Sequence, residues 1–245
     1  PLVVAEAFGT LAELYPGRID LGLGRAPGTD GPTMRALRRN RVETEEDFPR
    51  DVQELQRLLA PAQAGQPIVA VPGAGTNVPI WLLGSSLFSA QLAAYLGLPY
   101  AFASHFAPRM LHQALAIYRQ TFKPSAALAK PYAIVGVPVI AAPTDAEAQF
   151  LASSTYQRVL GILTGNRTRL QPPVEGFMEQ VSERERAAIA DFLAVGIIGG
   201  PQTVRAGLQA LAQATQADEF MLVSDVFDAD LRLRSLQLTA QAFRS

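Results

Sequence analysis

Pro79-Ile80-Trp81-Leu82-Leu83 is an apolar run too short for a buried helix, and Gly84-Ser85-Ser86 follows it at once and opens a helix ending near Leu96-Gly97. A strand that turns straight into a helix is half of a parallel crossover, because parallel neighbours can be joined only over the face of a sheet. The step recurs in both directions. Upstream, Leu2, Ala5, Phe8, Leu11 and Leu14 fall near helical spacing, Pro16-Gly17 stops that helix, and 19–24 read as a short strand. Helices over 33–39 and 48–59 follow, then an irregular Pro- and Gly-rich stretch over 60–78. Downstream, 98–104 repeat the strand signal and 108–122 the helix signal, with Met110, Leu111, Ala114, Leu115 and Tyr118 on one side. A strand over 132–142 leads through Pro143-Thr144-Asp145, a helix cap, into a helix to about 163. A polar insert at about 165–183, either a mobile lid or a solvated connection, precedes helices over 182–193 and 201–214. The strand 219–226 and the helix 229–243 complete the chain.

Nearly uniform apolar strands separated by helices predict an α/β protein with a parallel sheet. About five strands are counted where a closed (β/α)8 TIM barrel needs eight, so pattern alone leaves an open doubly wound sheet and an incomplete barrel standing together.

Composition removes several functional classes. With 49% hydrophobic residues among 245, the chain has the apolar material for a core and is not disordered. Its 21 basic and 22 acidic residues give a formal charge of -1, with no bulk attraction to nucleic acid or acidic lipid. The absence of cysteine removes disulfides, thiolate nucleophiles and cysteine-ligated metals. With only His105 and His112 as imidazoles, no metal site is expected. No apolar run approaches the ~20 residues that cross a bilayer, and no basic signal region opens the chain, so a soluble, cytoplasmic protein is the expectation. Pro1 is not an initiator methionine, and sequence upstream of it is expected.

Four groups of residues could carry chemistry. Gly22-Leu23-Gly24-Arg25-Ala26-Pro27-Gly28 ends a strand but is a poor dinucleotide fingerprint, since its third glycine comes late and Pro27 removes an N–H from the loop. Arg25 is the informative residue there, a permanent cation at a strand end, although a surface pairing with Asp20 or Asp30 would also explain it. At Gly84-Ser85-Ser86-Leu87-Phe88-Ser89 a helix start offers free N–H groups, its dipole, and the hydroxyls of Ser86 and Ser89 to a phosphate. A plain N-cap is the simpler reading of the same serines. If the strands ending at Gly24 and Leu83 are neighbours, Arg25 and Arg35 can face this helix start together. Gly199-Gly200-Pro201-Gln202-Thr203 is a competing helix start with weaker cationic support. His105, at the end of Ala101-Phe102-Ala103-Ser104, is the candidate acid, base or hydrogen-bond donor, or else a partly buried structural histidine. No Gly-x-Ser-x-Gly elbow supports serine hydrolysis.

Val4-Ala5-Glu6-Ala7-Phe8-Gly9-Thr10-Leu11 and Tyr15-Pro16-Gly17-Arg18-Ile19-Asp20-Leu21-Gly22-Leu23-Gly24-Arg25-Ala26-Pro27-Gly28 resemble the bacterial-luciferase-like, flavin-dependent monooxygenases. So do Trp81-Leu82-Leu83-Gly84-Ser85-Ser86, Phe102-Ala103-Ser104-His105-Phe106 and Gly199-Gly200-Pro201-Gln202-Thr203-Val204. The resemblance implies a (β/α)8 TIM barrel present here from about its fourth to its eighth strand, one domain over 1–245, and a homodimer. It implies reduced FMN as cofactor, or F420 in some branches. It matches Arg25, Arg35, Gly84, Ser85, Ser86 and Ser89 to the positions that hold the cofactor's phosphate. The implied activity is FMN-dependent oxygenation of a small organic substrate with O2, supplied by a separate flavin reductase. An F420-dependent hydride-transfer enzyme and a catalytically silent flavin-binding or dimer-partner subunit are the alternatives.

Overall fold

The structure, a computed structural model, describes residues 1–25, 36 and 47–244. Arg35 and the helix expected over 33–39 lie outside the described residues, Ala36 excepted. The chain divides into two compact units, Pro1–Ala101 with Ala116–Tyr132, and Phe102–Leu115 with Ala133–Ser245.

The first unit carries α1 (Leu2–Leu14), β1 (Leu21–Gly24), α2 (Phe48–Leu59), β2 (Ile80–Gly84) and α3 (Leu87–Leu96), and leads into β3 (Tyr100–Phe102). In α2 the buried residues Val52, Leu55, Leu58 and Leu59 recur at three- and four-residue intervals, which sets one apolar stripe inward. β1 and β2 are parallel neighbours, with Leu21 opposite Ile80 and Gly24 opposite Leu83. The condition on which the two candidate segments depend is therefore met: both strands end at one level. In α4 (Leu111–Thr121), Tyr118 is fully buried. Its hydroxyl donates to the Leu98 carbonyl at 2.9 Å and accepts the Tyr132 N–H at 3.1 Å, so a polar atom inside the core is satisfied from two sides.

The second unit is built on β4 (Ala133–Ala141), which is buried almost throughout. Parallel partners lie on both sides of it: β6 (Glu219–Val223), with Ile134 opposite Glu219, and β5 (Ile197–Gly199), with Val139 opposite Ile197. β5 was not expected from the sequence. Three residues are too few to show a period, and only pairing with β4 identifies them as strand. The helices are α4 (Leu111–Thr121, shared between the units), α5 (Asp145–Leu163), α6 (Phe177–Gln180), α7 (Glu183–Phe192), α8 (Pro201–Thr215) and α9 (Ala229–Arg244). Ile140, Leu151, Ala152, Val159 and Ile189 are among the residues that form its core. Thr144 caps α5 through the Glu147 N–H, and Ser182 with Glu185 forms a reciprocal capping box on α7. The polar insert is tied down at its middle and at its C-terminal end. Val174 N–H donates to Ser153 Oγ at 2.7 Å, and Arg186 donates to the carbonyls of Met178 and Val181 at 3.0 and 2.8 Å.

No helix among the described residues is long and apolar enough to cross a membrane.

Candidate cofactor site

Parallel pairing carries β1 and β2 to a common end, where the segments that leave the two strands meet. After β1, the exposed Arg25 sets its guanidinium 4.5 Å from the centroid of the Phe88 ring. Phe88 lies in the first turn of α3, the helix that Ser86 caps. A cation thus packs on a side chain of the first turn of a helix whose N–H groups carry the positive end of the dipole.

The turn from β2 into α3 is built from within. Ser86 is extended (φ -125°, ψ 161°), and its Oγ accepts the Ser89 N–H at 3.4 Å. Ser89 is buried and turned inward: its hydroxyl donates to the Ser86 carbonyl at 2.8 Å and lies 3.1 Å from the Tyr100 hydroxyl. Since its one proton goes to Ser86, Ser89 accepts from Tyr100. Of the two serines read as presenting hydroxyls on one side, Ser89 therefore faces the core and supports the turn, while Ser86 and the half-buried Ser85 are nearer its surface. Burial pushes the Tyr100 phenol up to about 12. Gly84 is required by this packing, because a Cβ there would overlap the Ser89 side chain.

The competing helix start is already occupied. The Asp145 carboxylate accepts the Gly200 N–H at the tip of α8 at 2.6 Å. That bond, and then one from the Thr203 hydroxyl, hold the Asp145 carboxyl below its usual range. An internal anion fills the place where an external one would bind. Nothing in the sequence around Gly199-Gly200 points to Asp145, which reads only as a first-turn acid of its own helix.

His105 follows β3 in the second unit. The buried Ser104 hydroxyl donates to the Gly136 carbonyl at 2.6 Å and pins this turn on β4. His105 is half-buried, and burial lowers its pKa; Asp225 opposes that shift and Arg158 adds to it. Arg158 and Asp225 pair at 2.6 Å. No motif marks these two residues; they meet because α5 and the segment after β6 pack on the same strand. Among the described residues no group of three His, Cys, Asp or Glu could hold a metal ion.

Residues 1–218 match the luciferase-like monooxygenase family. The chain belongs to that family. It is 50% identical to a luciferase-like monooxygenase of Escherichia coli (strain K12) over 97% of this chain and 71% of that protein. It is equally 50% identical to the uncharacterized protein YvbT of Bacillus subtilis (strain 168), over 100% and 73%. Apo-MsnO8 is similar in structure, with a TM-score of 0.84 and 36% identity over 100% of this chain and 74% of that one. Two remoter structures show the same fold alone. They are the oxygenating constituent of a 3,6-diketocamphane monooxygenase of Pseudomonas putida in complex with FMN (TM-score 0.63, 18% identity, 97% and 73% covered) and an F420-dependent secondary alcohol dehydrogenase in complex with an F420-acetone adduct (0.66, 15%, 100% and 76%). The luciferase-like fold is an α/β architecture of the TIM-barrel type, and its parallel strands are those described above. This luciferase-like chain is accordingly a flavin-dependent oxidoreductase or monooxygenase in the general sense.

Proposed function

We propose that the chain is an FMN-dependent monooxygenase that uses reduced flavin and O2 to oxygenate a small organic substrate. The observation that carries the reading is the Arg25 guanidinium packed on the ring of Phe88, a first-turn residue of α3. Charge, helix dipole and the Ser86 hydroxyl together suit a phosphate monoester, the terminal group of FMN. Asp145 in the other helix tip leaves α3 as the better anion site of the two. Arg25, Ser85 and Ser86 would hold the phosphate, with Gly84 and Ser89 keeping the turn in shape. When bound, reduced flavin supplies the electrons that activate O2. The protein's own part is to anchor the tail, orient the ring and keep water away from the reacting atoms. The reading brings with it a separate reductase, since the glycine loop at 22–28 is a poor nicotinamide site, and a cytoplasmic homodimer.

A hydride-transfer enzyme using F420 is the second reading. A phosphate anchor grips the tail and not the ring, and the structural relative with an F420-acetone adduct favours keeping it. Titration of the chain with FMN, riboflavin and F420, followed by oxygen uptake with each reduced form, tests both. Arg25→Ala and Ser86→Ala are each expected to weaken FMN binding by about 1–3 kcal/mol, the cost of a lost charge-assisted bond, and to leave riboflavin unaffected. Equal losses for the two flavins would refute the phosphate assignment. Tight F420 binding without FMN-dependent oxygen uptake would select the second reading.

A further inference from the structure

Phe88 is a large apolar side chain left 36% exposed in the first turn of α3. Among Leu87 to Ala90, Ser89 and Ala90 are buried and Leu87 is half-buried, so the ring is the exposed side chain of that turn. An exposed place near a helix start favours Asp or Glu, which complement the dipole, yet this turn holds no acidic residue. What the ring meets is Arg25, whose guanidinium carbon lies 4.5 Å from its centroid, inside the ~6 Å over which a ring face attracts a cation. The pairing of Gly24 with Leu83 brings the end of β1, where Arg25 follows, to the end of β2, from which α3 starts.

The choice of an aromatic partner has a chemical consequence. A carboxylate at position 88 would also hold Arg25, but it would cancel the charge and repel a phosphate. A neutral ring ties the guanidinium to the turn and leaves its charge in place. A long arginine side chain has many rotamers, and one held before an anion arrives loses less freedom on binding it. We propose that Phe88 is a positioning residue of the cofactor site, its ring holding the Arg25 guanidinium at the first turn of α3 for the phosphate of FMN. The inference rests on the assignment of that phosphate to Arg25 and Ser86. It adds a residue that touches no part of the cofactor's tail and acts through Arg25.

The test compares, in the whole chain, Phe88→Leu, which keeps apolar bulk without the ring, and Phe88→Tyr, which keeps the ring. FMN affinity is expected to fall about two- to fivefold in Phe88→Leu, the scale of one exposed cation–π contact, and to be retained in Phe88→Tyr. Riboflavin affinity should change in neither. In an Arg25→Ala background, Phe88→Leu should cost FMN nothing further, because the ring works through the guanidinium. A merely structural role would weaken both flavins alike and would persist without Arg25. Unchanged FMN affinity in Phe88→Leu, an equal loss in Phe88→Tyr, or the same loss in both backgrounds overturns the proposal. In the cofactor-free protein, 15N relaxation of the Arg25 Nε–H, assigned by its absence in Arg25→Lys, should show less order in Phe88→Leu and wild-type order in Phe88→Tyr. Equal order in all three proteins also overturns it. If Arg25→Ala by itself costs FMN no more than riboflavin, the phosphate assignment falls and takes the proposal with it. That result is distinct from a failure of the Phe88 variants alone, which leaves the phosphate assignment standing.

Discussion

The Asp145 carboxylate accepts the Gly200 N–H at 2.6 Å and so closes the tip of α8 with an anion of the protein's own. The contrast with α3, whose first-turn Phe88 ring carries the Arg25 guanidinium, separates two helix starts that look alike in sequence.

Replacing Asp145 by Asn should lower the melting temperature and leave FMN affinity unchanged. Hydrogen bonds from Gly200 and Thr203 depress the folded-state pKa, so the stabilisation is present above the unfolded value near 3.8 and is lost as pH falls through the folded one. Melting curves of both proteins from neutral to acid pH check this. The gap between them should narrow as the solution becomes more acid than that value.

Arg25→Lys keeps the charge but gives up the planar fork and its stacking on Phe88. FMN affinity is expected to fall between those of the wild type and Arg25→Ala. Isothermal titration at two salt concentrations checks it, with the lysine variant more sensitive to salt because a point charge is screened more easily than a bidentate pair.

Tyr100→Phe removes the hydroxyl that donates to Ser89 and should cost about 1 kcal/mol of stability in urea unfolding, the usual worth of one internal hydrogen bond. It should also weaken FMN more than riboflavin, because Ser89 bears on the Ser86 turn. In alkali the sign is the reverse of the Asp145 case. The Tyr100 phenol is raised to about 12, so between the ordinary value of 10.0 and that figure the unfolded chain ionises first and stability declines with rising pH. Tyr100→Phe should flatten that decline.

Gly84→Ala drives a methyl group into the Ser89 side chain. A loss of about 1–3 kcal/mol is expected, typical of overpacking at a tight contact, together with weaker FMN binding. A variant as stable as the wild type would show that the turn can spread without harm.

Most of the helices and strands were legible because their signals are local. In α2 the stripe of Val52, Leu55, Leu58 and Leu59 is written at helical spacing, and the run at 79–83 is apolar enough to be strand wherever it sits. The resemblance at Leu21-Gly22-Leu23-Gly24-Arg25 was legible for the same reason: the residues that make the loop are consecutive. β5 was not, since three residues carry no period and pairing with Val139–Ala141 is a contact over more than fifty residues of chain.

By itself the sequence determined the α/β class, the family, and which residue types stand at the strand ends, all of them properties of neighbouring residues. Only the tertiary structure decided how those residues are used. Ser89 turns inward because the Ser86 carbonyl and the Tyr100 hydroxyl satisfy it there. The tip of α8 is closed because Asp145, fifty-five positions away, meets it. His105 is fixed over Gly136 because β4 offers room at that one position. Hydrogen bonding and close packing act through space over a few ångströms, and the order of residues along a chain does not record which distant groups will come within that range.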